Sequence, residues 1–224
     1  MKDHETEAVL FDFSGTLFRI EPVLDWYRAE APAGLTEEQL AVTARALAEA
    51  GAQPGGPQPL LPPPGWETRD DSAELHRRLY TAQARAVLGD DDLADRLYRR
   101  HRQPAAWRSY PDTAAVLKQL RARGIPVALV SNIGWDPRPV LAAHGVDDLV
   151  DAYVLSYRLG VSKPEPEIFR AACRAVGADP ARTLMVGDDL TADGGARSLG
   201  CSFLHVRADR EEGLLEGVLA HVGG

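Results

Sequence analysis

Lysine is close to absent from this 224-residue chain: three lysines, at positions 2, 118 and 163, stand against 22 arginines. Basic excess is absent too, since 33 acidic residues outnumber 25 basic ones and leave a net charge of −8. A protein that grips the nucleic-acid backbone needs a basic stripe, so no nucleic-acid partner is expected. The same balance gives no support for docking on anionic membranes. Cysteine is scarce, with Cys173 in a predicted helix and Cys201 at a predicted strand start, and both read as small buried hydrophobes rather than a disulfide or metal site. Long apolar runs are missing: the MKDHETEAVL start has no signal-peptide-length stretch and no segment approaches a membrane span. The expectation is a cytoplasmic protein, monomer or homodimer, with no membrane partner.

What is present is a chain long enough for one core plus a small insert. From residue 111 onward, short apolar runs alternate with amphipathic helical patterns, which predicts an α/β fold with a parallel sheet. Predicted strands are 7–12, 126–131, 152–155, 183–187 and 202–206, near-continuous apolar runs suited to burial on both faces. Helices are predicted from Pro111 to Gly124, over PEPEIFRAACRAVG up to Gly177, and over 211–222, where Leu214, Leu215, Val218, Leu219 and Val222 recur at helical spacing. Residues 18–109 differ, because no convincing buried strand occurs in them. A capping-box pattern at Thr36–Gln39 opens a helix running to about Glu49, the proline- and glycine-rich 53–65 is an irregular loop, and two helical stretches lie near 72–88 and 90–102. The domain reading is therefore a core of 1–17 and 110–224, with a helical insert at 18–109.

Ligands of an open parallel sheet bind outside the carboxyl ends of its strands. Asp12 follows the first predicted strand, Ser131 and Asn132 the second, Lys163 lies beyond the third, and Asp188, Asp189 and Asp193 follow the fourth. Each alone has a plain explanation. Ser131-Asn132 suits loop hydrogen bonding, Lys163 a solvated cation, and Asp189 the N-cap of a short turn. Their conjunction at one edge points to chemistry.

DFSGTL (12–17), VSN (130–132), the Lys163-Pro164 of VSKPEPEIF and GDDLTAD (187–193) resemble the four ordered motifs of the haloacid dehalogenase (HAD) superfamily. The likeness covers 7–17 and about 110–224, and the 18–109 insert sits where that superfamily places a helical cap. The resemblance implies a Rossmann-like three-layer core with a mainly parallel five-stranded sheet of order 5-4-1-2-3, and phosphoryl transfer through an aspartyl intermediate. Asp12 is then the nucleophile, and Mg²⁺, a hard cation suited to oxygen ligands, is the implied cofactor. Its ligands map to Asp12, the backbone oxygen of Ser14 and Asp188, with Asp193 nearby. Ser131 and Lys163 bind the phosphoryl group and offset its charge, and Thr16 and Asn132 orient it.

Ser14 departs from the pattern, since phosphatases of the superfamily mostly carry an acid/base aspartate two places after the nucleophile. A serine hydroxyl trades protons poorly near pH 7, and general acid–base help contributes about 10²–10⁴-fold. Dehalogenases carrying tyrosine there use no metal and match GDDLTAD poorly. Phosphonoacetaldehyde hydrolases need a cap lysine, and 18–109 holds twelve arginines but no lysine. P-type ATPases, far longer chains, borrow a carboxylate from elsewhere. Glu67, Asp70, His76 and His101 are the insert's candidates for such a stand-in. Arg77, Arg78, Arg99, Arg100 and Arg102 read as a solvated face, and Trp26, Trp66 and Trp107 as packing. The expected function is a Mg²⁺-dependent phosphohydrolase of a small phosphorylated metabolite. The alternatives are a metal-independent 2-haloacid dehalogenase-like hydrolase, or a weakened HAD protein that binds a ligand or partner.

Overall fold

The computed structural model describes residues 6–53, 59–209 and 216–222. Its strands are β1 (Ala8–Phe11), β2 (Phe18–Ile20), β3 (Trp107–Ser109), β4 (Val127–Ser131), β5 (Ala152–Leu155), β6 (Thr183–Gly187) and β7 (Ser202–His205). Its helices are α1 (Val23–Glu30), α2 (Glu37–Glu49), α3 (Ala73–Leu88), α4 (Asp91–His101), α5 (Thr113–Ala122), α6 (Arg138–Ala143), α7 (Ser156–Leu159), α8 (Pro166–Val176) and α9 (Glu216–His221). Five strands form one parallel sheet in the order β5-β4-β1-β6-β7. Counting only these five along the chain, that is 5-4-1-2-3 read from one edge, as the resemblance implies.

Central position explains why β1, β4 and β6 show no polar alternation: every residue in them is buried. Successive side chains still point to opposite faces. Val9, Phe11, Leu129 and Val186 pack toward Val116, Leu117 and Leu120 of α5 and Val218 of α9. Leu10, Val130 and Met185 pack toward Ile168, Phe169, Ala172 and Cys173 of α8. Each such side chain, fully buried, contributes about 1.5–3 kcal/mol, so the two layers outweigh any surface interaction in the molecule. α8 stops where Gly177 takes the left-handed conformation at φ 69°. Cys173 and Cys201 are both buried free thiols, as their reading requires.

The chain leaves this core through β2 and returns through β3, which pair antiparallel with Phe18 opposite Ser109 and Ile20 opposite Trp107. The expectation is of no convincing buried strand in 18–109; the structure adds two short strands there that are mostly not buried. Each strand has three residues, and only Phe18 and Trp107 are buried, too little for a visible period. Beyond the ribbon, α1 to α4 pack around Val23, Ala44, Leu47, Ala84, Ala94 and Leu97. The capping box at α2 is present in full: Thr36 Oγ1 accepts from the Gln39 amide at 3.2 Å, and Gln39 Oε1 accepts from the Thr36 amide at 2.8 Å. Of the 53–65 loop, 54–58 lie outside the described residues, as do 211–215 of the predicted last helix. Arg77, Arg78, Arg99 and Arg102 are exposed as expected, but Arg100 is buried. Its Nη2 donates to the Glu21 and Pro22 carbonyls at 2.6 and 3.2 Å, tying α4 to the chain just after the ribbon. Among the described residues no helix is long and apolar enough to cross a membrane.

Candidate active site

Asp12 lies one residue past β1, 6% exposed, its amide held by the Val186 carbonyl at 3.0 Å. Ser131 ends β4, Asp188 follows β6, and Asp193 opens a short helical turn over Asp193–Leu199. Lys163 arrives from the loop between α7 and α8, and its Nζ donates to Asp12 Oδ1 at 2.5 Å and to Asp193 Oδ1 at 2.6 Å. All three side chains are buried, which a charged amine tolerates only when carboxylates take up its protons. Asp193 Oδ2 accepts from the Asp189 amide at 3.0 Å, locking the loop. Asp189 lies at the same edge of the cavity, its Oδ1 occupied in accepting from the Thr191 and Ala192 amides at 2.8 Å each.

Two glycines permit the approach. Gly15 has φ +89°, and a Cβ there would run into the Asp188 carboxylate. A Cβ on Gly187 would run into Asp193. The DFSG turn can therefore press against the Asp188 carboxylate only because Gly15 has no side chain, and Asp193 can fold back over its own loop only because Gly187 has none.

Asp12, Asp188 and Asp193 each offer an oxygen, and these oxygens lie within 4.8 Å of one another. Burial, together with the charges of Asp193 and Asp188, raises Asp12 to about 7 against the opposing pull of Lys163. Burial and then Asp193 raise Asp188 to about 6. Burial alone would lower Lys163, but Asp12 and Asp193 carry it above the usual lysine range. One ammonium does not neutralise three clustered acids, and their all-oxygen donor set suits a hard divalent cation. Ser14 and Ser131 line the same cavity. Asn132 lines it too, but its amide is committed to the backbone of Lys163, Oδ1 accepting at 2.7 Å and Nδ2 donating at 2.9 Å, so it places the lysine. Thr16 is not brought to the cavity: the turn after Ser14 carries it inward, where it is fully buried and its Oγ1 has no partner.

The cavity, about 500 Å³, has a second wall from the insert that includes Trp66, Glu67, Arg69, Asp70, His76 and Tyr80. The guanidinium of Arg69 lies over the Trp66 ring at 4.7 Å, and its Nη2 is 3.5 Å from Asp70 Oδ2. His76 Nδ1 meets Tyr98 Oη at 2.9 Å, and its Nε2 is 3.6 Å from Asp70 Oδ1. Burial and then Arg69 push His76 down to about 3, so the ring is neutral. Ser156 Oγ donates to the Asp70 carbonyl at 2.6 Å and accepts from the Ile133 amide at 2.9 Å. Ser162 Oγ donates to Asp71 Oδ1 at 2.5 Å. The wall is thereby latched to the core.

Of the insert's candidate acids and bases, Asp70 and His76 are buried in this wall, Glu67 is exposed at its edge, and His101 is buried away from it with neither ring nitrogen partnered. Trp66 and Trp107 both pack and line the cavity, whereas Trp26 packs inside the insert. Sequence reasoning missed Arg69, Ser156 and Ser162. Ser156 had a readable signal, since it follows the third sheet strand directly.

A family model described as haloacid dehalogenase-like hydrolase matches residues 6–200. The chain belongs to this family of hydrolases. It is 30% identical over 148 residues to (S)-2-haloacid dehalogenase 4A of Burkholderia cepacia, a match covering 65% of this chain and 59% of that enzyme. It is 28% identical over 207 residues to glyceraldehyde 3-phosphate phosphatase of Methanopyrus kandleri, covering 90% and 84%. The fold is shared with a HAD phosphatase from Thermococcus onnurineus, with TM-score 0.64, 24% identity and coverage of 97% and 98%. The match spans 45–59% of the length of four curated relatives, and the relatives of this HAD chain include both phosphatases and a dehalogenase.

Proposed function

We propose that the chain is a Mg²⁺-dependent phosphohydrolase of a small phosphorylated metabolite, working through an aspartyl-phosphate on Asp12. The observation that carries the reading is the trio Asp12, Asp188 and Asp193, whose oxygens gather within 4.8 Å beside the nucleophile. A reaction releasing halide has no use for such a cluster, whereas a carboxylate attacking a phosphate dianion meets like-charge repulsion that cations must offset. Asp12 and Asp188, with the Ser14 carbonyl, would hold Mg²⁺, which when bound neutralises phosphate charge and orients the ester. Asp12 attacks phosphorus in line with the departing oxygen. Lys163, fixed by Asn132 and Asp193, holds a cation against the phosphoryl oxygens, and Ser131 donates a hydrogen bond to one of them.

A panel of phosphorylated metabolites, assayed with Mg²⁺ and with chelator on wild type, Asp12→Asn and Ser14→Asp, tests this. Mg²⁺-dependent phosphate release lost in Asp12→Asn is expected. Activity that survives Asp12→Asn or ignores chelation overturns it. The dehalogenase reading has one observation in its favour: halide leaves without a proton, so Ser14 is then no handicap. Metal-independent halide release from a 2-haloacid would establish it.

A further inference from the structure

A phosphomonoester whose leaving group is an ordinary alcohol cannot depart as an alkoxide near pH 7, so some group must give it a proton. Ser14 holds its proton too tightly. On the core wall, Asp12 is the nucleophile, Asp193 is spent on Lys163 and the Asp189 amide, Asp188 belongs to the cation cluster, and Asp189 caps its own turn. The in-line attack fixes where the donor must be: with Asp12 below phosphorus, the leaving oxygen lies on the far side, toward the insert. There the cavity wall carries Tyr80, His76, Glu67 and Asp70. Burial raises Tyr80 to about 12 and lowers His76 to about 3, so neither changes protonation near neutrality. Glu67 is exposed.

We propose that Asp70 is the catalytic acid and base of this enzyme, supplied by the cap to a site whose own motif lacks one. The assignment rests on the phosphohydrolase reading above. Asp70 is 5% exposed, lines the cavity that holds Asp12, is paired with Arg69 through Nη2 at 3.5 Å, and has the neutral His76 ring beside its other oxygen, Nε2 at 3.6 Å. The hydrogen bond between His76 Nδ1 and Tyr98 Oη at 2.9 Å fixes the ring with its Nε2 toward Asp70. The Ser156 hydroxyl pins the Asp70 carbonyl to the core, so the carboxyl is placed by the sheet as well as by the cap. Burial holds its carboxyl above the usual carboxylate range, with Asp71 adding to the rise and Arg69 and Lys163 opposing it; Asp70 is thus near enough to feel the lysine that faces the nucleophile.

The proton accounting closes over one turnover. Asp12 forms a bond to phosphorus, the bond to the leaving oxygen breaks with its electron pair on that oxygen, and protonated Asp70 gives it a proton, releasing the alcohol. The Asp70 carboxylate then takes a proton from water as the water oxygen attacks phosphorus and the bond to Asp12 breaks. Hydrogen phosphate leaves, Asp12 is a carboxylate again and Asp70 is protonated.

The test compares leaving groups. 4-Nitrophenyl phosphate releases an acidic phenol and needs no proton, whereas an alkyl phosphate such as glycerol 1-phosphate does. In Asp70→Asn, kcat/KM for the alkyl phosphate should fall about 10²–10⁴-fold, the range for loss of a general acid, while kcat/KM for 4-nitrophenyl phosphate stays within about threefold. Because water is then activated poorly, nitrophenol should appear as a burst equal to the enzyme, with phosphate retained on the protein. Adding Ser14→Asp to Asp70→Asn should restore alkyl phosphate turnover. Equal losses on both substrates, or unimpaired alkyl phosphate turnover by Asp70→Asn, overturn the assignment while leaving the phosphatase reading standing. If wild type releases no nitrophenol with Mg²⁺, the phosphatase reading itself fails and this assignment with it.

Discussion

The two walls of the cavity are built by different means. On the core wall, Asp12, Ser131 and Asp188 stand at the carboxyl ends of neighbouring sheet strands, so the sheet spacing brings them together once the glycine turns allow the close approach. On the cap wall, Asp70 sits in a short helical turn over Trp66–Asp71 and His76 on α3, and their facing direction is set by docking, through Ser156 and Ser162 and the missing side chain of Gly134 against His76. Burial raises carboxyls on both walls, Asp12 and Asp188 on the core wall and Asp70 on the cap wall, but the core wall gathers three acids around one lysine, whereas the cap wall sets a single raised carboxyl beside Arg69 and a neutral His76. Half of the active site is thus specified by secondary structure and half by an interface.

The largest effect separating the walls is expected at Asp12. Asp12→Asn keeps the shape and removes the nucleophile, so phosphate release should fall on the order of 10⁴-fold for every substrate, unlike the leaving-group-dependent loss at Asp70. Steady-state assays on both esters decide it, and a substrate-dependent loss at Asp12 would erase the contrast. Next comes Lys163→Met, which leaves the buried Asp12 and Asp193 carboxylates unpaired; removing one partner of a buried pair costs about 3–5 kcal/mol. Denaturant unfolding at pH 8 in chelator should show that loss. A change below 1 kcal/mol would mean that the cluster is not held by this lysine.

The legibility of the two walls follows their construction. The strands were readable because burial on both faces leaves continuous apolar runs, and once they were placed, Asp12, Lys163 and Asp188 fell at one edge. The ribbon of β2 and β3 was not, since three residues with one buried side chain each leave no period. Thr16 looked like its neighbours in DFSGTL, but the turn rotates it inward, and nothing in the local sequence records that. Asn132 was placed at the right edge with a different task, because hydrogen bonding to the Lys163 backbone depends on a loop 31 residues away. Asp70 and His76 were visible only as candidates, since the docked face of a helix depends on a surface the helix does not itself encode.

Acid should distinguish His76 of the cap wall from the clustered acids of the core wall in the metal-free protein. His76 has its folded value pushed to about 3, below the unfolded value of about 6.5, so the unfolded chain binds the proton first and stability falls as pH drops from 6.5 toward 3. Asp12 and Asp188, raised to about 7 and about 6, do the reverse: the folded state binds protons first, and stability rises as pH falls from 7 toward 3.8. Unfolding between pH 7 and 4.5 in chelator should show His76→Gln gaining on wild type by up to about 1.4 kcal/mol per pH unit below 6.5. Asp12→Asn should lose the Asp12 share of the gain on acidification, most visibly between pH 7 and 6, above the range where Asp188 contributes. Parallel curves for all three proteins would contradict both assignments.

The smallest effect tests the latch. Ser156→Ala removes the donor to the Asp70 carbonyl and the acceptor of the Ile133 amide, leaving buried polar groups unpaired at a cost of about 1–3 kcal/mol, reduced wherever water can enter from the cavity. If that latch only adds stability, both esters should turn over unchanged at a temperature well below unfolding. If it aims the Asp70 carboxyl, alkyl phosphate turnover should fall several-fold with 4-nitrophenyl phosphate spared, a weaker copy of Asp70→Asn. A serine with no charge and no contact to substrate would then share the leaving-group signature of the acid it holds, which packing alone does not produce.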